Sequence, residues 1–140
     1  MKSLTYEEYA DMLKNAPETE IKEGCVPSCP VTVVLDMLQG KWKNHVLFAM
    51  CAHESIRFSK LKKKFPHITN AALTNTLREL EICGLVNRVQ YNEIPPRVEY
   101  SLTEKGRDLM PVFHQMYEWS VKHWDVDEYK KYKSYGSSDK

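Results

Sequence analysis

The 140-residue sequence predicts a mainly α chain with a small β-hairpin, and three observations carry that expectation. Apolar residues recur every three or four positions over most of the chain, the stretch from Leu85 to Leu102 switches to alternation, and Gly or Pro punctuates the changes of period. A composition of 42% hydrophobic and 28% charged residues gives one modest core, which excludes a large two-domain enzyme. No apolar run approaches the roughly 20 residues that span a bilayer. Glu7 and Glu8 stand where a secretory signal would be apolar, so a cytoplasmic protein with four free thiols is expected.

Thr5 can cap a first helix through Lys14 that carries Tyr6, Tyr9 and Leu13 on one stripe. Residues 17 to 30 hold three prolines, one glycine and two cysteines and are expected to be an irregular connection. Val31, Val34, Leu35 and Leu38 give a helix that ends by Gly40, and Trp42, Val46, Leu47 and Met50 mark a buried helix ending near His53. Ser55 to Phe58 suits a short strand, and Phe58, Leu61 and Phe65 a short helix stopped at Pro66. Thr69 then caps a helix to about Cys83 whose inner stripe is Leu73, Leu77 and Leu80, with Gly84 just beyond its end. Its outer face carries Asn70, Ala71, Thr74, Asn75 and Arg78, which are mostly small and polar.

Leu85 to Tyr91 and Arg97 to Leu102 form a hairpin around Pro95 and Pro96, with Val98, Tyr100 and Leu102 on the inner face. Thr103 is expected to cap one long helix to about Trp124, bent at Pro111, with a seam of Leu109, Val112, Phe113, Met116, Tyr117, Ser120 and Trp124. The organisation expected is an N-terminal extension with a short helix over 1–24, a core domain over 25–124 and a flexible tail over 125–140.

Net charge is unevenly spread. Residues 1–40 carry 3 basic against 7 acidic side chains (−4), residues 41–107 carry 12 against 6 (+6), and residues 108–140 carry 5 against 6 (−1). A basic middle attracts a polyanion although the whole chain is only +1. The element order is that of a winged helix-turn-helix with additional N- and C-terminal dimerisation helices, a fold that places a polar helix face in the major groove and basic wing residues on the backbone.

CPV at Cys29–Val31, GKW at Gly40–Trp42, RFSKL at Arg57–Leu61, LTNTLRELEICGLVNR at Leu73–Arg88 and PPRVEYSLTEKGRDL at Pro95–Leu109 together resemble the HxlR-type winged helix-turn-helix family over residues 25–124. The resemblance implies a homodimeric transcription regulator, expected here to be a repressor of a nearby operator and not tied to any particular base sequence, with Thr69–Cys83 as the recognition helix, Leu85–Leu102 as the wing and Cys29 as an N-terminal thiol that responds to oxidants, quinones or other electrophiles. Where many members place Lys or Arg early in the recognition helix, this chain has Asn70, Ala71 and Ala72. That departure moves the expected basic contacts to Arg57, Lys60, Lys62, Lys63, Arg78, Arg88 and Arg97.

The expected partners are therefore double-stranded DNA with a palindromic operator, a second copy of the chain, and a small electrophile or aromatic effector. Tyr6, Tyr9, Phe113, Met116, Tyr117 and Trp124 are the candidate dimer interface, since one small core leaves their stripes uncovered. Cys51 and Cys83 fall in helical patterns and read as buried small side chains. No cofactor or metal is expected, because Cys25, Cys29, Cys51, His45 and His53 lack the spacing of a closed metal site. Catalytic signatures such as a phosphate loop, a nucleophile elbow or HExxH are missing, and Glu79 and Glu81 read as solubilising. A winged-helix protein-interaction adaptor and a regulator controlled by a ligand near the dimer interface are the competing readings.

Overall fold

The computed structural model describes residues 5–15 and 30–136, which fall into two compact units divided between Gln39 and Gly40. The expected boundary at 24/25, Cys25 and Cys29 lie outside the described residues.

The first unit holds α1 (Tyr6–Lys14) and α2 (Pro30–Leu38). A reciprocal capping box starts α1: the Thr5 hydroxyl oxygen accepts from the Glu8 N–H at 3.2 Å, and the Glu8 carboxylate accepts from the Thr5 N–H at 2.8 Å. Tyr6 and Tyr9 are exposed on it. In α2 only Leu38 among the side chains described is buried, while Val31, Val33 and Leu35 are exposed, so the apolar spacing marks a face that the described residues leave exposed.

The second unit builds the core from α3 (Lys43–Cys51), β1 (Ile56–Arg57), α4 (Phe58–Lys64), α5 (Asn70–Ile82), β2 (Val86–Tyr91) and β3 (Arg97–Leu102). Val46, Leu47 and Met50 of α3 meet Leu73, Leu77 and Leu80 of α5, with Leu61 and Ile68 closing the gap between the helices. All eight are essentially removed from water. Cys51 is exposed and Cys83 half-buried, contrary to the expectation of two buried thiols. Cys51 follows the buried Met50 by one position, about 100° round the helix and off the core face.

The sheet is antiparallel in the order β1-β3-β2. Pairing of Val86 with Leu102 and Tyr91 with Arg97 sets the hairpin, and β1 adds Ile56 opposite Tyr100 and Arg57 opposite Glu99. Ile56, Tyr100, Leu102 and Val86 face the core, so the register is fixed by one buried side.

The single long helix expected after Thr103 is two, α6 (Glu104–Asp108) and α7 (Met110–His123), meeting at Leu109. Pro111 has no N–H to donate and its ring disfavours the preceding turn, so the chain restarts with proline in the first turn of a new helix, where no donor is needed. Thr103 does cap as expected, accepting from the Gly106 N–H at 2.9 Å while its hydroxyl donates to the Gly84 carbonyl at 2.7 Å. Gly84 itself takes φ +72°, which suits the C′ position after α5.

Val126–Gly136 forms α8, opened by a second capping box in which the Asp125 carboxylate accepts from the Glu128 N–H at 2.7 Å. Trp124 packs edge-on to Tyr132 at 5.7 Å. Where a flexible tail is expected over 125–140, residues 126–136 are thus helical, with cap and aromatic contact together supplying what the broken apolar stripe does not. Among the described residues no helix is long and apolar enough to cross a membrane.

Candidate nucleic-acid interface

Helix α5 begins where Thr69 takes an extended backbone and its hydroxyl oxygen accepts from the Ala72 N–H at 3.1 Å. With Leu73, Leu77 and Leu80 buried, the 3.6-residue period turns Ala71, Thr74, Asn75 and Arg78 outward as one stripe, and all four are exposed together with Thr69 and Asn70 at the helix start. Arg78 makes no ion pair or hydrogen bond, so its five donors are uncommitted. The stripe is narrow at Ala71 and Thr74, which lets a base edge come close to the helix.

Beside it, α4 carries Lys60, Lys62, Lys63 and Lys64. Lys62 is half-buried and the others are exposed, none of them ion-paired. On the hairpin, Arg88 is exposed and only donates to the neutral Gln90 side chain at 3.3 Å. These positions leave a positive margin on both sides of α5 in sequence, of the kind that engages phosphates.

Arg57 and Arg97 differ from that expectation. The Arg97 guanidinium pairs with Glu93 at 3.1 Å, lies 3.7 Å from Glu99 and sits over the Tyr91 ring at 4.0 Å. Its Nε is buried without a hydrogen bond, since 3.7 Å is too long for one. Arg57 lies 3.7 Å from the same Glu99 carboxylate, which also accepts from the Ser55 hydroxyl at 3.2 Å. Sheet register causes this, because Arg57 and Glu99 are cross-strand partners. Arg97 therefore braces the wing tip, and Arg57 is half-neutralised although well exposed.

Glu79 is the residue that sequence reasoning sets aside and the structure brings forward. Its carboxylate takes a 2.9 Å ion pair from Lys43 of α3 and accepts from the Asn75 Nδ2 at 2.8 Å. The Lys43 ammonium, hydrogen-bonded and close, holds the Glu79 carboxyl below the usual carboxylate range, with the Asn75 donor helping and desolvation opposing. Because the folded value is lowered, the ion pair is intact at neutral pH and is lost as pH falls through that lowered value. The Asn75–Glu79 half was readable as an i,i+4 pair; the Lys43 half needs α3 and α5 packed together.

The proposed interface residues divide as well. Met116, Tyr117 and Trp124 are exposed on or just after α7, as Tyr6 and Tyr9 are on α1. Phe113 differs from them: it is 9% exposed and packs edge-on to Phe48 at 4.9 Å within the chain. Between α7 and α8 runs an apolar groove of about 670 Å³ lined by Tyr117, Trp119, Trp124, Tyr129 and Tyr132. Among the described residues, no three His, Cys, Asp or Glu side chains gather as a metal site would require.

Comparison with known proteins agrees with this architecture. The HxlR-like helix-turn-helix family profile matches residues 37–128. An HTH-type transcriptional regulator of Methanothermobacter thermautotrophicus is 47% identical over 91 residues, 65% of this chain and 69% of its own length. The regulator YybR of Bacillus subtilis is 46% identical over 115 residues, 82% of this chain and 86% of its own. Among solved structures, the redox regulator HypR in its reduced form superposes with a TM-score of 0.65 at 45% identity, covering 71% of this chain and 98% of that one. The exposed α5 stripe, the hairpin wing of a three-stranded sheet and these similarities lead to one conclusion: the chain belongs to the HxlR-like helix-turn-helix family and is a DNA-binding transcriptional regulator of the winged-helix type.

Proposed function

We propose that the protein is a homodimeric repressor that sets α5 of each subunit into the major groove of a palindromic operator, with α4 and the wing on the flanking phosphates. The observation that carries this reading is the uncovered stripe Ala71, Thr74, Asn75 and Arg78 beside unpaired Lys60, Lys63, Lys64 and Arg88. A two-fold axis would space the two α5 helices by about 34–36 Å, one turn of duplex. The exposed apolar faces of α1, α2 and α7, with Tyr6, Tyr9, Val31, Leu35, Met116 and Tyr117, supply the area a second copy would cover. Selection of bound fragments from genomic DNA by the purified protein, followed by footprinting, tests the reading; a strictly monomeric species bound one per site would reject it. Arg78→Ala is expected to relax preference at one base pair by about 1–3 kcal/mol if the guanidinium forks onto guanine, and to weaken all duplexes alike if it contacts phosphate.

Control by oxidants, quinones or other electrophiles through Cys29 belongs to the same proposal. Its support is the family membership and the likeness to HypR, a redox regulator. A thiolate at Cys29 that is alkylated, or that is oxidised by diamide to an intersubunit disulfide, would shift the dimer and with it operator affinity. Diamide or quinone treatment is expected to change operator affinity of the wild-type protein and leave Cys29→Ser unaffected; an equal response of both proteins would remove Cys29 from the account. The α7–α8 groove, walled by five aromatic rings, favours as a second reading an aromatic effector held near the dimer interface.

A further inference from the structure

We infer that Glu79 is a positioning residue that fixes the hydrogen-bonding polarity of Asn75, so that α5 reads adenine at the base pair Asn75 meets. The inference rests on the reading of α5 as the groove helix and adds to it a base identity and the device that sets it.

The primary amide of asparagine can present its oxygen or its nitrogen in either of two directions, and on a helix facing water nothing chooses between them. Here a carboxylate does. Glu79, one turn along α5, only accepts hydrogen bonds, and the Asn75 Nδ2 donates to it at 2.8 Å. The flipped amide would set Oδ1 against the carboxylate, two acceptors face to face. One Nδ2 proton is thereby used, and the second proton with Oδ1 forms a donor and acceptor pair of fixed order. Adenine presents N7 as acceptor and N6–H as donor in the major groove and matches that pair. Guanine presents two acceptors there, N7 and O6, and would confront Oδ1 with O6.

Lys43 makes this device tolerable beside DNA. An unpaired carboxylate on the groove face would repel phosphates, but the Lys43 ammonium meets Glu79 at 2.9 Å from a side chain only 14% exposed. The charge is balanced from behind, by the helix on which α5 packs, and the lysine does not have to enter the groove. Ala71 one turn before Asn75 and Thr74 beside it are small enough for the base edge to reach the amide.

The experiment selects preferred duplexes from a randomised pool with wild-type protein, Asn75→Ala, Glu79→Gln and Lys43→Met, and measures affinity for a non-specific duplex and thermal stability in parallel. Wild type is expected to show an adenine in each half-site whose preference over guanine, about ten- to hundredfold for a bidentate pair, disappears in Asn75→Ala. Glu79→Gln should lower that one preference about tenfold while the other positions keep theirs, and its non-specific affinity should rise because a negative charge has left the groove face. Lys43→Met should weaken binding to all duplexes by leaving Glu79 uncompensated. The inference is overturned if Glu79→Gln reduces every position equally, as a merely structural residue would, or if the position it alters prefers cytosine and survives Asn75→Ala, which would make Glu79 itself the reader. Wild-type protein that binds DNA with no dependence on Asn75 at any position overturns the device alone, whereas wild-type protein that binds no duplex overturns the DNA-reading role of α5.

Discussion

Operator affinity is expected to fall about 10³- to 10⁵-fold when monovalent salt rises from 50 to 200 mM, the loss that accompanies six to ten phosphate contacts per dimer. Three to five contacts per subunit are within reach of Lys60, Lys62, Lys63, Arg78 and Arg88, none of which has an acidic partner. Arg57 and Arg97 are expected to contribute less, since Glu99 and Glu93 already occupy them. Replacing Lys60 and Lys63 together by glutamine removes up to four contacts per dimer and should therefore reduce the slope of log affinity against log salt by about 4, and replacing Arg97 by about 0 to 2. Fluorescence anisotropy on a labelled operator at several salt concentrations measures both. Affinity that ignores ionic strength would favour the protein-interaction adaptor, whose contacts release no counterions.

The largest effect on stability is expected from Gly106→Ala. Alanine normally favours a helix over glycine by about 1 kcal/mol, but Gly106 is buried in α6, and a methyl group there would collide with the carbonyl oxygen of Leu85. That oxygen is rigid backbone and accepts from the Thr103 N–H at 3.0 Å, next to the Thr103–Gly84 bond at 2.7 Å. Relief requires α6 to move away from the start of the wing and to give up those bonds. A net loss of about 2–3 kcal/mol follows from such overpacking, or about 10 °C in melting temperature for a domain of this size. Calorimetry of the variant decides it, and an unchanged midpoint would mean that α6 does not seat against Leu85 as described.

These two expectations differ in how much of them the sequence exposes. Lys60, Lys62, Lys63 and Arg78 are legible because the leucines of α4 and α5 fix the inner face, and whatever is left faces out. Gly106 carries no such mark: it reads as an ordinary weak point in a helix, and only the approach of α6 to Leu85 gives it a role. Phe113 shows the same limit from the other side. Its spacing with Met116 and Tyr117 suggests one shared seam, yet Phe48 reaches it within the subunit and leaves the other two in solvent. Helix α8 is a different case, since its Asp125–Glu128 capping box is a local signal that the polar composition of the tail obscures.

Taken by itself, the sequence determines the helices up to α5, the alternation of β3, the caps at Thr69 and Thr103, the turn at Gly84 and the polar stripe on α5, because each depends on neighbours no more than a turn or two away. Tertiary structure alone decides which charges remain available. Arg57 is engaged by Glu99 through strand pairing, and Glu79 is balanced by Lys43 through the meeting of α3 and α5. The physical reason is range: a helical or strand period is a property of consecutive residues, whereas an ion pair forms between groups that only the folded backbone brings within 4 Å, and no local pattern records which carboxylate will be there.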